Sequence, residues 1–226
     1  MLIGDCTLAT SYMPTHHRNE VLLAARLRAL YPHDALHITN EGLDGEHVGG
    51  FLARYERTFA RHAPPDYVLV RYGINDRRTY GTEGFASRLH TLLDRLQADF
   101  PRVRIVLETG VFVDFPAHYE FDRNAVLQPI YQVIRDVGRA RGFPVVDVYA
   151  RMAHETALGN WDLRVRGYGV VEETIPVLGV GQDHVYGDDV RWFTNIHPNP
   201  KGMAVFVDEQ VRVLQQHWPE TLRVQA

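Results

Sequence analysis

Cysteine is nearly missing from this chain: Cys6 is the one thiol in 226 residues. An internal disulfide and any multi-thiolate metal site are thereby excluded. Positive charge is not in excess either, with 24 Lys and Arg against 28 Asp and Glu, so no general affinity for nucleic acid is expected. No apolar run approaches the ~20 residues of a membrane span. The segment Met1 to Cys6 lacks a basic leader and is interrupted by Asp5, which argues against a signal peptide and for a cytoplasmic location. The 12 histidines show no tight HxH or HExxH spacing, so neither metal nor cofactor is expected. Repeats and low-complexity linkers are lacking as well.

What remains is a composition of 45% hydrophobic and 23% charged residues, ordinary for one α/β domain spanning 1–226. Short β-type runs alternate with longer amphipathic ones. The strand candidates are Met1–Ile3, Ala35–Thr39, Tyr67–Arg71, Val103–Glu108 and Pro144–Val148, each bounded by Gly, Pro, Asp or Asn. Helices are predicted over Asn19–Leu30, His47–Arg61, Gly84–Phe100, Arg123–Arg141 and Lys201–His217. In the third, Leu89, Leu92, Leu93 and Leu96 make one apolar face. Such alternation predicts βαβ units and a parallel sheet covered on both faces. Residues 152–193 break the rhythm; a connection this long reads as a lid or substrate-pocket segment, or as a cap on the sheet edge.

Open parallel sheets bind ligands at the carboxyl ends of their strands. Gly4-Asp5-Cys6 follows the first strand candidate, Asn40 to Gly45 the second, and Gly73-Ile74-Asn75-Asp76 the third, while His197-Pro198-Asn199 precedes the last helix. A nucleophile candidate, two Gly-bearing turns, an Asn and a His thus fall at one sheet edge.

These four blocks, in this order, resemble the SGNH (GDSL-type) hydrolase family, and the resemblance covers nearly the whole chain. Val145-Val146-Asp147-Val148-Tyr149 is also similar to that family's fifth strand. The resemblance implies a flavodoxin-like three-layer α/β/α sandwich with a central parallel five-stranded sheet. It also implies an esterase-type hydrolase acting on a small-molecule acyl substrate, free or carrier-bound. Cys6 takes the place of the family's nucleophilic Ser. His197 matches the catalytic base, and the Cys6 N–H, Gly45 N–H and Asn75 amide match the oxyanion hole. The acid expected three positions before His197 is replaced by Thr194.

Chemistry links the two departures. A serine loses its proton as it attacks, so its base gains full charge and a buried carboxylate helps. A cysteine, with reference pKa ~8.5, can be pre-ionised beside an imidazolium, and less is then required of a third group. Thr194, Asn195 or a backbone carbonyl is expected to orient His197, or else one of Asp183, Asp188 and Asp189 reaches back to it. A thioester or activated ester suits thiolate attack. An acyltransferase using the same acyl-Cys6, or a degenerate member that only binds ligand, are the alternatives.

Around this centre, Asp5 is expected to cap turn N–H groups behind the nucleophile, with substrate contact as its other assignment. Arg77, beside Arg71 and Arg78, is a candidate for an anionic acyl or carrier group against a plain reading as a solvated helix start. Trp192 and Phe193, with Trp161, Tyr168 and Tyr186, are candidates for an acyl pocket.

Overall fold

Runs of aliphatic and β-branched residues form the strands, and each is buried over most of its length. β1 is Leu2–Gly4, β2 Tyr67–Arg71, β3 Arg104–Glu108 and β4 Val145–Val146. All pair in parallel in the order β1-β2-β3-β4. Leu2 lies opposite Leu69, Val70 opposite Leu107, and Leu107 opposite Val145. Burial on both faces explains why these segments read as continuous apolar runs. The structure, a computed structural model, describes residues 1–11, 13–112, 123–158, 197–198 and 200–223.

The helices, in chain order, are α1 Cys6–Ala9, α2 Asn19–Leu30, α3 Val48–Phe59, α4 Asp76–Thr79, α5 Gly81–Asp99, α6 Arg123–Arg141, α7 Val148–Ala157 and α8 Pro200–His217. In one group α2 packs on α8 and α8 on α7; in the other α3 packs on α5 and α5 on α6. The predicted stripe on α5 is the buried one: Leu89, Leu92, Leu93 and Leu96 are each at most 1% exposed. Burying one such side chain contributes about 1.5–3 kcal/mol. With Ile3, Val70, Val106 and Phe206 they form the core on both sides of the sheet.

Three expectations on element bounds are corrected. Ala35–Thr39 forms no strand of its own; the fifth position is a single parallel bridge between Leu2 and Asn40. It is held by Leu2 N–H to the Thr39 carbonyl at 2.8 Å and Glu41 N–H to the Leu2 carbonyl at 2.9 Å. β4 stops at Val146 because the Asp147 carboxylate accepts the Ala150 N–H at 3.2 Å and starts α7. Residues up to Ala157 of the supposedly irregular 152–193 segment therefore belong to α7, and 159–193 lie outside the described residues. No bounds were predicted for the short helices α1 and α4, since four residues carry no periodicity.

The chain next to β1 reverses its direction of build. Residues 39–41 flank β1 on one side and β2 on the other. That is a topological switch point, and the crevice it opens lies at the carboxyl end of β1, where Asp5 and Cys6 follow.

Candidate active site

Asp5 is the N-cap of α1: its Oδ1 accepts the Thr7 N–H at 2.9 Å and the Thr7 hydroxyl at 2.8 Å. The residue is 1% exposed. Burial pushes its carboxyl up from 3.8 to about 6, against the opposing hydrogen bonds from Thr7 and the charge of Arg71. The capping role expected of Asp5 is thus what the geometry contains.

Cys6 is the first residue of α1 and is buried, at 7% exposure. Its thiol is pushed up to about 12, first by burial and then by the Asp5 carboxylate. The nearby backbone N–H groups of Gly45 and of Cys6 itself oppose the rise without cancelling it. The expectation of a ground-state thiolate is therefore corrected. A dry site and an adjacent carboxylate outweigh the N-terminus of the one-turn helix α1, which by itself favours a thiolate.

Gly45 sits at φ +73, a conformation that suits Gly. Its loop is fastened to the first block by Leu43 N–H to the Gly4 carbonyl at 3.0 Å. Asn40 folds the start of that loop, accepting the Gly42 N–H at 2.9 Å and donating to the Leu8 carbonyl at 2.9 Å. The third block meets the second through two side chains. Asn75 Nδ2 donates to the Glu46 carbonyl at 2.9 Å. Asp76, fully buried, accepts the Val48 N–H at 2.9 Å and the Gly73 N–H at 3.1 Å. Gly73, at φ +126, leaves no room for a Cβ, which would stand 2.6 Å from Ile130 Cγ2. The structure therefore brings Cys6, Gly45 and Asn75 together at the carboxyl end of β1.

His197 is half-buried just ahead of α8, and Pro198 after it is buried. The early part of α8 is anchored at the carboxyl ends of β2 and β3. Phe206 lies under the Arg71 guanidinium at 3.9 Å from the ring centre, and Gln210 Nε2 donates to Glu108 Oε1 at 2.8 Å. Arg77 is half-buried and Arg78 exposed, both on α4. Thr194, Asn195, Asp183, Asp188, Asp189, Trp161, Tyr168, Tyr186, Trp192 and Phe193 lie outside the described residues.

Arg71 corrects the reading of a solvated flank. It is 1% exposed, its guanidinium 2.7 Å from Glu108 Oε2, and its Nη1 donates to the Thr7 carbonyl at 3.0 Å. Glu108 and Gln210 extend this chain to Asn19 of α2 through a pair of amide hydrogen bonds at 3.0 and 3.1 Å. A buried network joins α1 to α8. The sequence shows only that opposite charges end two apolar strand candidates; the register that pairs them comes from the fold.

Among the described residues, no group of three or more His, Cys, Asp or Glu is placed to hold a metal ion, and no helix is long and apolar enough to cross a membrane. A cavity of about 460 Å³, with Leu23, Leu27, Ile38 and Tyr67 in its wall, lies at the amino ends of β1 and β2, the edge opposite Cys6.

A parallel sheet flanked by helices, with Asp5 and Cys6 in the turn after its first strand, is an α/β sandwich. The chain belongs to the GDSL-like lipase/acylhydrolase family, whose model matches residues 2–205. It is 23% identical over 197 residues to an acetylxylan esterase of Geobacillus stearothermophilus, covering 85% of this chain and 78% of that protein. A lipolytic protein of the G-D-S-L family from Veillonella parvula superposes with a TM-score of 0.67 at 14% identity, covering 95% of this chain and 97% of that one. A catalytic mutant of the Geobacillus esterase gives 0.65 at 16% identity, over 100% of this chain and 95% of the other. At these identities the superpositions speak to the fold.

Proposed function

We propose that this protein hydrolyses a small ester, an acetyl ester first among them, through a covalent acyl-Cys6 intermediate with His197 as the base. The observation that carries the reading is the tying of the Gly45 loop and the Asn75 turn to the start of α1: the Leu43 N–H bonds the Gly4 carbonyl at 3.0 Å and Asn75 Nδ2 the Glu46 carbonyl at 2.9 Å. N–H donors fixed beside a nucleophile, facing the oxygen of the carbonyl it attacks, are the requirement of an oxyanion hole. Asn75 Nδ2, already bonded to the Glu46 carbonyl, has a second N–H for the same oxygen. The catalytic mutants of the Geobacillus esterase replace a serine, an aspartate and a histidine, the last two separated by three positions. That spacing matches the interval between Thr194 and His197 here.

The neutral thiol defines the first step. Sγ attacks the acyl carbon while its proton passes to His197, and the carbonyl π pair moves onto oxygen to give the oxyanion. Collapse expels the alkoxide, which takes the proton from His197. Water, deprotonated by the same imidazole, then attacks the thioester and releases the acid and the Cys6 thiol. An amine or thiol in place of that water gives acyl transfer. The thiol at about 12 favours one second reading, a member that binds acyl ligands without turning them over.

Incubation with p-nitrophenyl acetate and with an acyl thioester tests this. The expected result is an acetyl adduct at Cys6 by intact mass, lost in Cys6→Ala. Turnover should fall by ~10² or more in His197→Ala. Hydrolysis that persists in Cys6→Ala, or the lack of both adduct and turnover in the native protein, overturns the reading. Partition of the acyl group between water and added amine decides hydrolase against transferase.

A further inference from the structure

Arg54 sits on α3 and was assigned no role by the motif blocks, yet its guanidinium grips both ends of the loop that carries Gly45. Nε donates to Glu46 Oε1 at 2.5 Å and Nη2 to Glu46 Oε2 at 2.8 Å, a two-point grip on one carboxylate. Nη2 also donates to the Glu41 carbonyl at 2.6 Å, and Nη1 to Glu41 Oε2 at 3.2 Å and the Thr58 hydroxyl at 3.0 Å. All five N–H groups of the guanidinium thus have acceptors, four of them on Glu41 and Glu46. Glu46 itself is buried and accepts the Tyr72 hydroxyl at 2.7 Å, and its carbonyl receives Asn75 Nδ2 at 2.9 Å.

Glu46 follows Gly45 directly and binds Asn75, so its position sets where both act. We infer that Arg54 is a positioning residue for the oxyanion site, a fork that fixes the 41–46 loop and with it the place of Gly45 and of Asn75, which bonds the Glu46 carbonyl. The inference rests on the reading of Cys6 as the attacking group. A planar five-donor fork suits this task, and Lys, with three donors on one nitrogen, cannot span the same acceptors. The neighbouring Arg61 offers a contrast: it is exposed and reaches Glu41 alone, at 2.9 Å.

The test compares Arg54→Lys, Arg54→Ala and Arg61→Lys with the native protein in two assays. One is p-nitrophenyl acetate turnover; the other is the pH profile of Cys6 alkylation by iodoacetamide, which needs no ester activity. In Arg54→Lys, kcat should fall roughly 10- to 10²-fold with KM within about twofold, since an ångström of misplacement costs on that order. The alkylation profile should move to higher pH, because the Gly45 N–H, which opposes the rise of the thiol, is displaced with its loop. Arg61→Lys should match the native protein in both. Arg54→Ala leaves a buried carboxylate without its partner; if it does not fold, Arg54→Lys decides. Native kcat and an unmoved profile in Arg54→Lys overturn the inference. An inactive native protein removes the ester reading alone, and the alkylation profile then still supports or overturns the role of Arg54.

Discussion

Asp5→Asn should change stability in a way that depends on pH, by an amount that follows from burial. The carboxyl of Asp5 titrates at about 6 in the fold, against ~3.9 in an unfolded chain. Below about pH 4 both states hold the proton. Between there and pH 6 the unfolded chain releases it while the folded one keeps it, so the native state loses stability as pH rises. Above about 6 the loss is complete. A difference of about two pH units makes it about 3 kcal/mol. Asn cannot ionise, yet its side-chain oxygen still caps the Thr7 N–H, and Asn is as good an N-cap as Asp. The variant should therefore gain about 3 kcal/mol relative to the native protein between pH ~4 and ~7, read from urea unfolding at fixed pH. The variant also removes a negative charge beside Cys6, so its thiol should fall below about 12 and be alkylated faster. A stability gap between the two proteins that stays flat over that range refutes the account of Asp5 as a buried, reluctantly ionised cap.

Arg71→Ala should cost about 3–5 kcal/mol by chemical denaturation, because Glu108 is left charged and buried. Changing both residues, Arg71→Met with Glu108→Leu, should cost less than the single change; the opposite order would contradict a desolvation-dominated pair. Gly73→Ala should lower stability by about 1–3 kcal/mol, since it combines a left-handed φ with a Cβ held against Ile130. Thr194→Asp should raise p-nitrophenyl acetate turnover both in the native protein and in Cys6→Ser, because a neutral thiol and a hydroxyl alike make their base take up full charge. A gain confined to Cys6→Ser would restore the pre-formed thiolate.

The elements that the sequence displays best are those whose period is long enough to repeat. α2 and α6 begin and end where the apolar pattern does, and α8 differs from it by one residue. The paired strands appear as apolar runs because both faces are covered. Ala35–Thr39 has the same look and pairs at one bridge only, since an edge segment is held by the loop contacts of Asn40 and Leu43 as much as by a ladder. Gly45 and Asn75 were named because motif spacing reflects backbone placement, and hydrogen bonds of Leu43 and Asn75 link their blocks to one another and to the turn after β1. Arg71, Glu108, Arg54 and Glu46 were not assigned their roles for a common reason. Their partners are 37 and 8 residues away, and nothing in a single chain tells a paired buried charge from a solvated one until the register of strands and the curl of a loop are known.

Burial also alters the argument that joined Cys6 to the absent acid at position 194. A pre-ionised thiol would have made a third residue dispensable, because the ion pair would stand in the ground state. The thiol at about 12 does not supply that pair. On the proposed mechanism its attack needs a base that gains charge, as a serine's does, so the site keeps the demand that a triad acid meets elsewhere. What the sulfur retains over a hydroxyl is an acidity still above that of an alcohol and a thioester intermediate that amines and thiols attack readily. The Cys–Thr194 combination is then better explained by the second half of the reaction, where the acceptor is chosen, than by the first.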